Sequence, residues 1–250
     1  NPLVLMHFVL GAHNDALMVG LIVMGLTLTI ERRPIIGVAL VTMGAMVKPI
    51  GLLALPFVGL VWAGSRADVR QRILGWVKTG LVMLVTYGAF SAVVGGGIGW
   101  VRALTTPGEV RTWLSPSTAL GMFTGNVASW FGLGDHIDLT VGVFRAIGEL
   151  LAIGIVAWLL LKPQGRTPVQ SLAWAFLAVV LLGPVVQPWY LLWILPLLAA
   201  SGLTPRQLQV VLLGTAAFTF YGLCETSATT DSLFELSDGL AMLASAAAVG

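Results

Sequence analysis

Long stretches of unbroken apolar residues alternate with short polar connections along this 250-residue chain. Runs of about 18 or more apolar residues are long enough to cross a bilayer as helices. Within lipid, each helix satisfies its own backbone hydrogen bonds. The runs are continuous rather than alternating in segments of about ten, which excludes a closed β-barrel. The pattern predicts helices over 15–30, 35–47, 49–63, 73–94, 139–161, 169–183, 189–202, 207–224 and 236–250. The expected class is all-α, a polytopic helical membrane bundle with short and broken helices around an outward-facing cavity. No repeat of 20–50 residues stands out, so 1–250 reads as one transmembrane helical domain, part of a longer protein. Residues 95–138 read as an outward-facing loop with interfacial segments, Trp100, Trp113 and Trp130 fitting the interface.

Composition agrees with a lipid solvent. Hydrophobic residues make up 57% and charged residues 10% of the chain, against about 25% charged in soluble domains. Mean hydropathy is +0.94. Cys224 is the only cysteine, so no internal disulfide forms. Four connections, ERRP (31–34), SRADVRQR (65–72), KPQGR (162–166) and TPRQ (204–207), hold eight of the thirteen Lys and Arg. By the positive-inside rule these face the cytoplasm, and Lys78 can snorkel back to the same surface. The segments 95–138 and 225–238 are acidic or neutral and face outward. This alternation describes a multi-pass protein of the plasma membrane.

Helix length then becomes informative. At 1.5 Å per residue, 35–47 covers only about 20 Å of a core about 30 Å thick before Lys48-Pro49 turns the chain back. The pair 169–183 and 189–202 turns at GPVVQPW (183–189), where Gly183, Pro184 and Pro188 break the helix. The helix from Asp15 is about 24 Å long and is headed by His13-Asn14-Asp15. All three polar bends stop below the outer lipid surface. Irregular backbone survives at that depth only where it lines protein or a wet cavity. One shared cavity open to the outside is expected.

The residues at these bends are the candidate site. Asn14 and Asp15 sit where a helix begins, and plain N-capping competes with ligand binding. The imidazole of His13 is a side chain that can hold or give a proton; a histidine satisfied by backbone is the rival reading. Lys48 is costly deep in an apolar segment, which points to an anion, either a ligand phosphate or the Asp15 carboxylate. Gln187, Trp189 and Tyr190 offer amide and ring faces suited to a sugar, or simply a turn within an aromatic belt. Arg145 and Glu149, at i,i+4, are expected to neutralise each other. Arg111 reads as a solvated arginine of the outer loop. His7, His13 and His136 are too scattered for a metal cluster, so no metal ligands are assigned; no cofactor is called for, and a divalent metal is left open. Phosphate-binding glycine loops, CxxC, HExxH and GxSxG are all absent, and nothing supports nucleic-acid binding.

NPLVL (1–5), GAHNDALMVGL (11–21), VKP (47–49), WLSPSTAL (113–120) and GPVVQPWYLLWILP (183–196) together resemble the actinobacterial polyprenol-phosphate-mannose-dependent α-1,6-mannopyranosyltransferases. These are integral membrane glycosyltransferases of the GT-C class, and the resemblance runs from about residue 1 to about 200. It implies a many-helix bundle with an outward catalytic cavity. It also implies a polyprenyl-phosphate-mannose donor, a mannan or lipoglycan acceptor of the lipomannan type, and transfer with inversion. His13, Asn14, Asp15, Lys48, Gln187, Trp189 and Tyr190 would then bind substrate. In that class the catalytic carboxylate usually lies in the first outward loop. The general base is therefore expected upstream of this chain, and Asp15 is not assigned that role. A transporter or flippase of a polyprenyl-linked sugar is the alternative, since broken helices and midplane polar groups also mark transporters. A structural membrane subunit is a third reading, with no need for Lys48 at that depth.

Overall fold

The computed structural model describes residues 1–95, 110–162 and 164–227, with side chains to 222. Every regular element among them is helical. A π-helical segment, Val4–Leu10, leads through a turn into α1 (Asp15–Ile30). There follow α2 (Pro34–Val47), a 3₁₀ turn (Pro49–Leu53), α3 (Ala54–Ala63), α4 (Val69–Val94), α5 (Pro116–Trp130) and α6 (Ile137–Leu161). The last elements are α7 (Pro168–Leu182), a 3₁₀ turn (Pro188–Tyr190), α8 (Leu191–Ala199) and α9 (Pro205–Ser227). Expectations for Trp100, for the acidic residues of 225–238 and for a helix over 236–250 concern residues or side chains outside the described ones.

Proline punctuates the chain. Ser115, Thr167 and Thr204 each precede a proline at the first helical position, where its missing N–H is not needed. The Ser115, Thr167 and Thr204 hydroxyls accept from the N–H of Thr118, Gln170 and Gln207, respectively. The start of α4 differs from the sequence expectation by four residues. Asp68 and Gln71 form a reciprocal capping box, with bonds of 2.7 and 2.9 Å. Arg70 and Arg72 therefore lie in the first turn of α4 rather than in a connection.

Among the described residues two helices, α4 with 26 residues and α6 with 25, are long and apolar enough to cross a membrane. Their outer faces are exposed and apolar: Leu84, Val85 and Val93 on α4, Leu150 and Ile153 on α6. Surface of that kind over whole helices suits lipid and not water. The chain is an all-α membrane bundle. The Val4–Leu10 segment and α1 bend by 105° at their junction. α2, α3, α7 and α8 are the shorter apolar helices anticipated from their lengths.

The core lies among α1, α2, α3, α7 and α8, around Met18, Val41, Phe57, Phe176 and Ile194. α1 and α2 run antiparallel in close backbone contact. A Cβ on Gly25 would fall 2.5 Å from the Gly37 carbonyl oxygen, and one on Gly37 would overlap the Gly25 carbonyl. Small residues that let backbones approach are the usual cement between helices in lipid. This packing sets the far ends of the hairpin, Asp15 and Lys48, side by side. The region read as an outer loop contains α5, which packs on α6 through Gly121 and Gly125. Trp130 at the end of α5 is 78% exposed, as an interfacial anchor would be.

Candidate functional site

Three backbone breaks build the site. In the first, Gly11 and His13 donate to the Met6 and His7 carbonyls, at 2.9 and 3.1 Å. Between them Ala12 stands at φ 47, a left-handed conformation that costs a residue with a Cβ. In the second, Pro49 forces Lys48 out of the helical region, to φ −148 and ψ 121, so α2 ends and the lysine side chain turns aside. The third repeats that logic: Pro188 holds Gln187 at φ −119 and ψ 148, and a 3₁₀ turn restarts the helix as α8.

The three breaks meet. Asp15, 1% exposed, accepts from Lys48 Nζ at 2.7 Å and from Trp193 Nε1 at 2.6 Å, both at Oδ1. Lys48 remains 29% exposed. Its ammonium lies 5.2 and 5.1 Å from the ring centroids of Tyr190 and Trp193, within cation–π range. Those two rings stack at 4.0 Å. His13 stacks on Trp189 with centroids 4.3 Å apart, and His7 sits 5.6 Å from His13 and 5.4 Å from Trp189. The His7 Nε2 and Trp189 Nε1 atoms are buried and have no hydrogen-bond partner among the described residues. Buried donors and acceptors of that kind are normally satisfied.

The anticipated residues fall into two groups. His13, Asp15, Lys48, Trp189 and Tyr190 form the cluster itself. Asn14 and Gln187 lie on its bends but bring no polar side-chain contact to it. Asn14 occupies the N-cap position of α1 in a helical conformation, and its exposed side chain caps nothing. Gln187 gives its backbone carbonyl to the Tyr190 N–H at 3.0 Å. Of the two partners foreseen for Lys48, the Asp15 carboxylate is present. The bends meet as a packed cluster, and the clefts described below lie elsewhere.

Sequence reasoning missed Trp193 and His7. Trp193 follows Trp189 by four residues and Tyr190 by three, the spacing that puts side chains on one helix face. That periodicity was the available signal. Nothing local marks His7.

Behind the cluster, the break at Gly183-Pro184 is tied down by α5. Ser115 and Ser117 donate to the Gly183 carbonyl at 2.7 and 3.0 Å, and Thr118 donates to the Pro184 carbonyl at 2.6 Å. These carbonyls lose helical partners where α7 ends, and buried hydroxyls replace them. Arg145 completes the chain, its Nε donating to Thr118 Oγ1 at 2.8 Å and an η nitrogen to the Val110 carbonyl at 2.5 Å. Arg145 therefore serves the Thr118–Pro184 brace. Glu149, one turn away, is exposed and forms no direct ion pair with Arg145 among the described residues, so the expected neutralisation reduces to an electrostatic attraction across one helical turn. Arg111 pairs with Asp138 and is not simply solvated.

Two protein families match this chain. Residues 1–64 match the alpha-(1->6)-mannopyranosyltransferase N-terminal domain and residues 117–250 the MptB C-terminal domain. The cluster straddles both, with Asp15 and Lys48 in the first match and Trp189 to Trp193 in the second. Among curated relatives, a probable alpha-(1->6)-mannopyranosyltransferase of Mycolicibacterium smegmatis is 36% identical over 82% of this chain and 42% of its own. An alpha-(1->6)-mannopyranosyltransferase of Mycobacterium tuberculosis is 32% identical over 96% of this chain and 50% of its own. Alpha-(1->6)-mannopyranosyltransferase B of Corynebacterium glutamicum is 30% identical over 88% of this chain and 40% of its own. The chain thus spans about half the length, or less, of the curated relatives it matches. No solved structure matches.

Proposed function

The chain belongs to the alpha-(1->6)-mannopyranosyltransferase family, and from that premise we propose that the full-length protein moves a mannosyl residue from a polyprenyl-phosphate donor to a growing α-1,6-linked envelope mannan. The cluster of Asp15, Lys48, His13, Trp189, Tyr190 and Trp193 receives the donor, on the outward side of a multi-pass membrane domain. The observation that carries this reading is the Lys48 ammonium. It is held at 2.7 Å by a buried carboxylate, yet it is 29% exposed and so within reach of an incoming anion.

The division of labour follows from charge and geometry. In a direct displacement the acceptor oxygen forms a bond to the sugar carbon as the bond to the phosphate oxygen breaks. Negative charge grows on the departing lipid phosphate. A preorganised cation at that point lowers the barrier, commonly the largest catalytic contribution. Lys48 supplies it, and Asp15 with Trp193 keeps the lysine from swinging away. The stacked pairs Trp189–His13 and Tyr190–Trp193 offer ring faces to sugar carbons. The Trp189 N–H, buried and lacking a protein partner among the described residues, becomes a donor for a sugar hydroxyl or a phosphate oxygen only when the packed cluster opens around the ligand. Asp15 Oδ1 already accepts two hydrogen bonds and is sealed from acceptor hydroxyls, which suits an orienting role rather than that of general base.

The experiment is transfer of labelled mannose from a polyprenyl-phosphate donor by full-length enzyme in membranes. Lys48→Ala should lower turnover by about 100-fold or more, the scale of losing one oxyanion-stabilising group, at unchanged expression. Wild-type turnover by that variant would remove Lys48 from the site. A wild-type enzyme that flips the lipid-linked sugar without transferring mannose would replace the transferase reading with that of a transporter.

A further inference from the structure

The end of the bundle away from Asp15 and Lys48 carries a cleft of about 300 Å³, bordered by Ser65, Arg72, Arg166, Thr167 and Ser171. Among the described residues no acidic side chain lines it. Through Arg166 and Leu159 it adjoins a groove of about 440 Å³ along α6 and α7, whose walls include Trp158, Trp174, Leu177 and Leu181.

The two arginines are arranged unlike solvated ones. Arg166 follows two consecutive left-handed residues, Gln164 at φ 46 and Gly165 at φ 80. That turn lays its guanidinium over the Trp158 ring, 4.4 Å from the centroid. One η nitrogen donates to the Lys162 carbonyl at 2.9 Å and the other to Gln164 Oε1 at 3.3 Å, while the buried Nε has no partner among the described residues. Arg72 spends its Nε on the Ala67 carbonyl at 3.1 Å and makes no other hydrogen bond among the described residues. Both stand near the N-terminus of α7, the positive end of its dipole. Neither guanidinium forms an ion pair among the described residues, and an anion in the cleft that both line would supply one.

We propose that cleft and groove together seat one anionic phospholipid. Its phosphate lies between Arg166 and Arg72, and one acyl chain runs along Trp158, Trp174, Leu177 and Leu181. Charge complementarity selects the occupant. An apolar groove alone would accept any lipid tail, whereas this one ends at two unopposed cations. The connection 162–166 and the basic stretch from Ser65 into the first turn of α4, which holds Arg72, both border the cleft. Such clustering marks the cytoplasmic leaflet, whose anionic lipids are drawn to basic pockets between membrane helices. Trp158 and Leu181 are each 41% exposed, open on the side from which a bilayer lipid enters. The site spans α4, α6 and α7 and is separate from the cluster at the bends, so the proposal does not rest on the transferase reading.

The test is thermal unfolding of the purified full-length protein in detergent, with phosphatidylglycerol or phosphatidylcholine of identical chains added. Phosphatidylglycerol should raise Tm by about 3 °C or more above phosphatidylcholine, the scale of a modest binding free energy in a protein this size. The difference should vanish in R72Q/R166Q and shrink in Ala178→Trp, which fills the groove. Each variant is compared with itself in the two lipids, so a lowered baseline does not matter. Equal Tm in both lipids for the wild type overturns the proposal, as does an undiminished difference in either variant. Inorganic phosphate reproducing the full shift would make this a plain anion site and overturn the lipid seat. Should a variant fail to fold, native mass spectrometry of Arg166→Gln decides. Loss of the co-purified phosphatidylglycerol adduct by about tenfold supports the site, and wild-type retention overturns it.

Discussion

Asp15 and Trp193, 178 residues apart in the chain, share a hydrogen bond of 2.6 Å from the indole Nε1 to Oδ1. This contact joins α1 to α8, and it holds the carboxylate that in turn holds Lys48. Trp193→Phe keeps an aromatic face against Tyr190 and deletes only the donor. A hydrogen bond to a charged group contributes about 1.5–3 kcal/mol. Transfer by the full-length enzyme should fall by about tenfold or more, with membrane expression retained. Unchanged turnover would show that Lys48 alone positions Asp15.

The Asp15–Lys48 pair itself should show strong energetic coupling. Removing one member of a buried pair strands the other charge, at a cost of about 3–5 kcal/mol, less here because Lys48 is partly open to solvent. Lys48→Met and Asp15→Asn should each lower Tm clearly, and the double variant should lose much less than the sum. Additive losses in a detergent-solubilised unfolding assay would mean that the two side chains do not act as a unit.

How much of this was legible in the sequence depends on what kind of contact made each feature. The short helices α2, α3 and α7 follow directly from continuous apolar runs cut by Pro49 and by Gly183-Pro184, because proline acts on the residue beside it. Their lengths also foretold that the bends would meet. α5 was hidden because PSTALGMFTGNVASW mixes small, polar and apolar residues. It is held by hydroxyls on the Gly183 and Pro184 carbonyls and by glycine contacts to α6, neither of which leaves an apolar stripe. The role of Arg145 was only partly legible for the same reason. An i,i+4 acid is a local clue, but Thr118, 27 residues away, is the nearer partner in space. Asp15 and Lys48 could be paired by argument from depth, whereas Trp193 required the third dimension.

The α1–α2 hairpin should be intolerant of any side chain at its crossing. Gly37→Ala places a methyl group against the Gly25 carbonyl and the Thr29 hydroxyl. Overpacking costs about 1–3 kcal/mol, here with backbone as the obstacle, and it would also pull Asp15 from Lys48. Gly20→Ala on the same hairpin meets nothing within 4 Å and should be neutral or stabilising, since alanine suits a helix by about 0.5–1 kcal/mol. Folded yield and Tm of the two variants separate close packing from general helix propensity. Equal behaviour would refute the close approach.

The brace behind the site makes a final prediction that links packing to activity. Thr118→Val keeps shape and volume but leaves the Pro184 carbonyl and the Arg145 Nε–H without their partner. Unsatisfied buried groups cost about 1–3 kcal/mol each, more when charged. The break at Gly183-Pro184 would loosen, and with it the angle at which Trp189 and Tyr190 reach His13 and Lys48. Thr124→Val is the control, because its hydroxyl merely returns to the Leu120 carbonyl of its own helix, at 2.8 Å on an exposed face. Thr118→Val should therefore lower both Tm and mannosyl transfer, and Thr124→Val neither. If Thr118→Val lowered Tm while transfer at permissive temperature stayed at the wild-type rate, the brace would support the fold without setting the geometry of the aromatic residues.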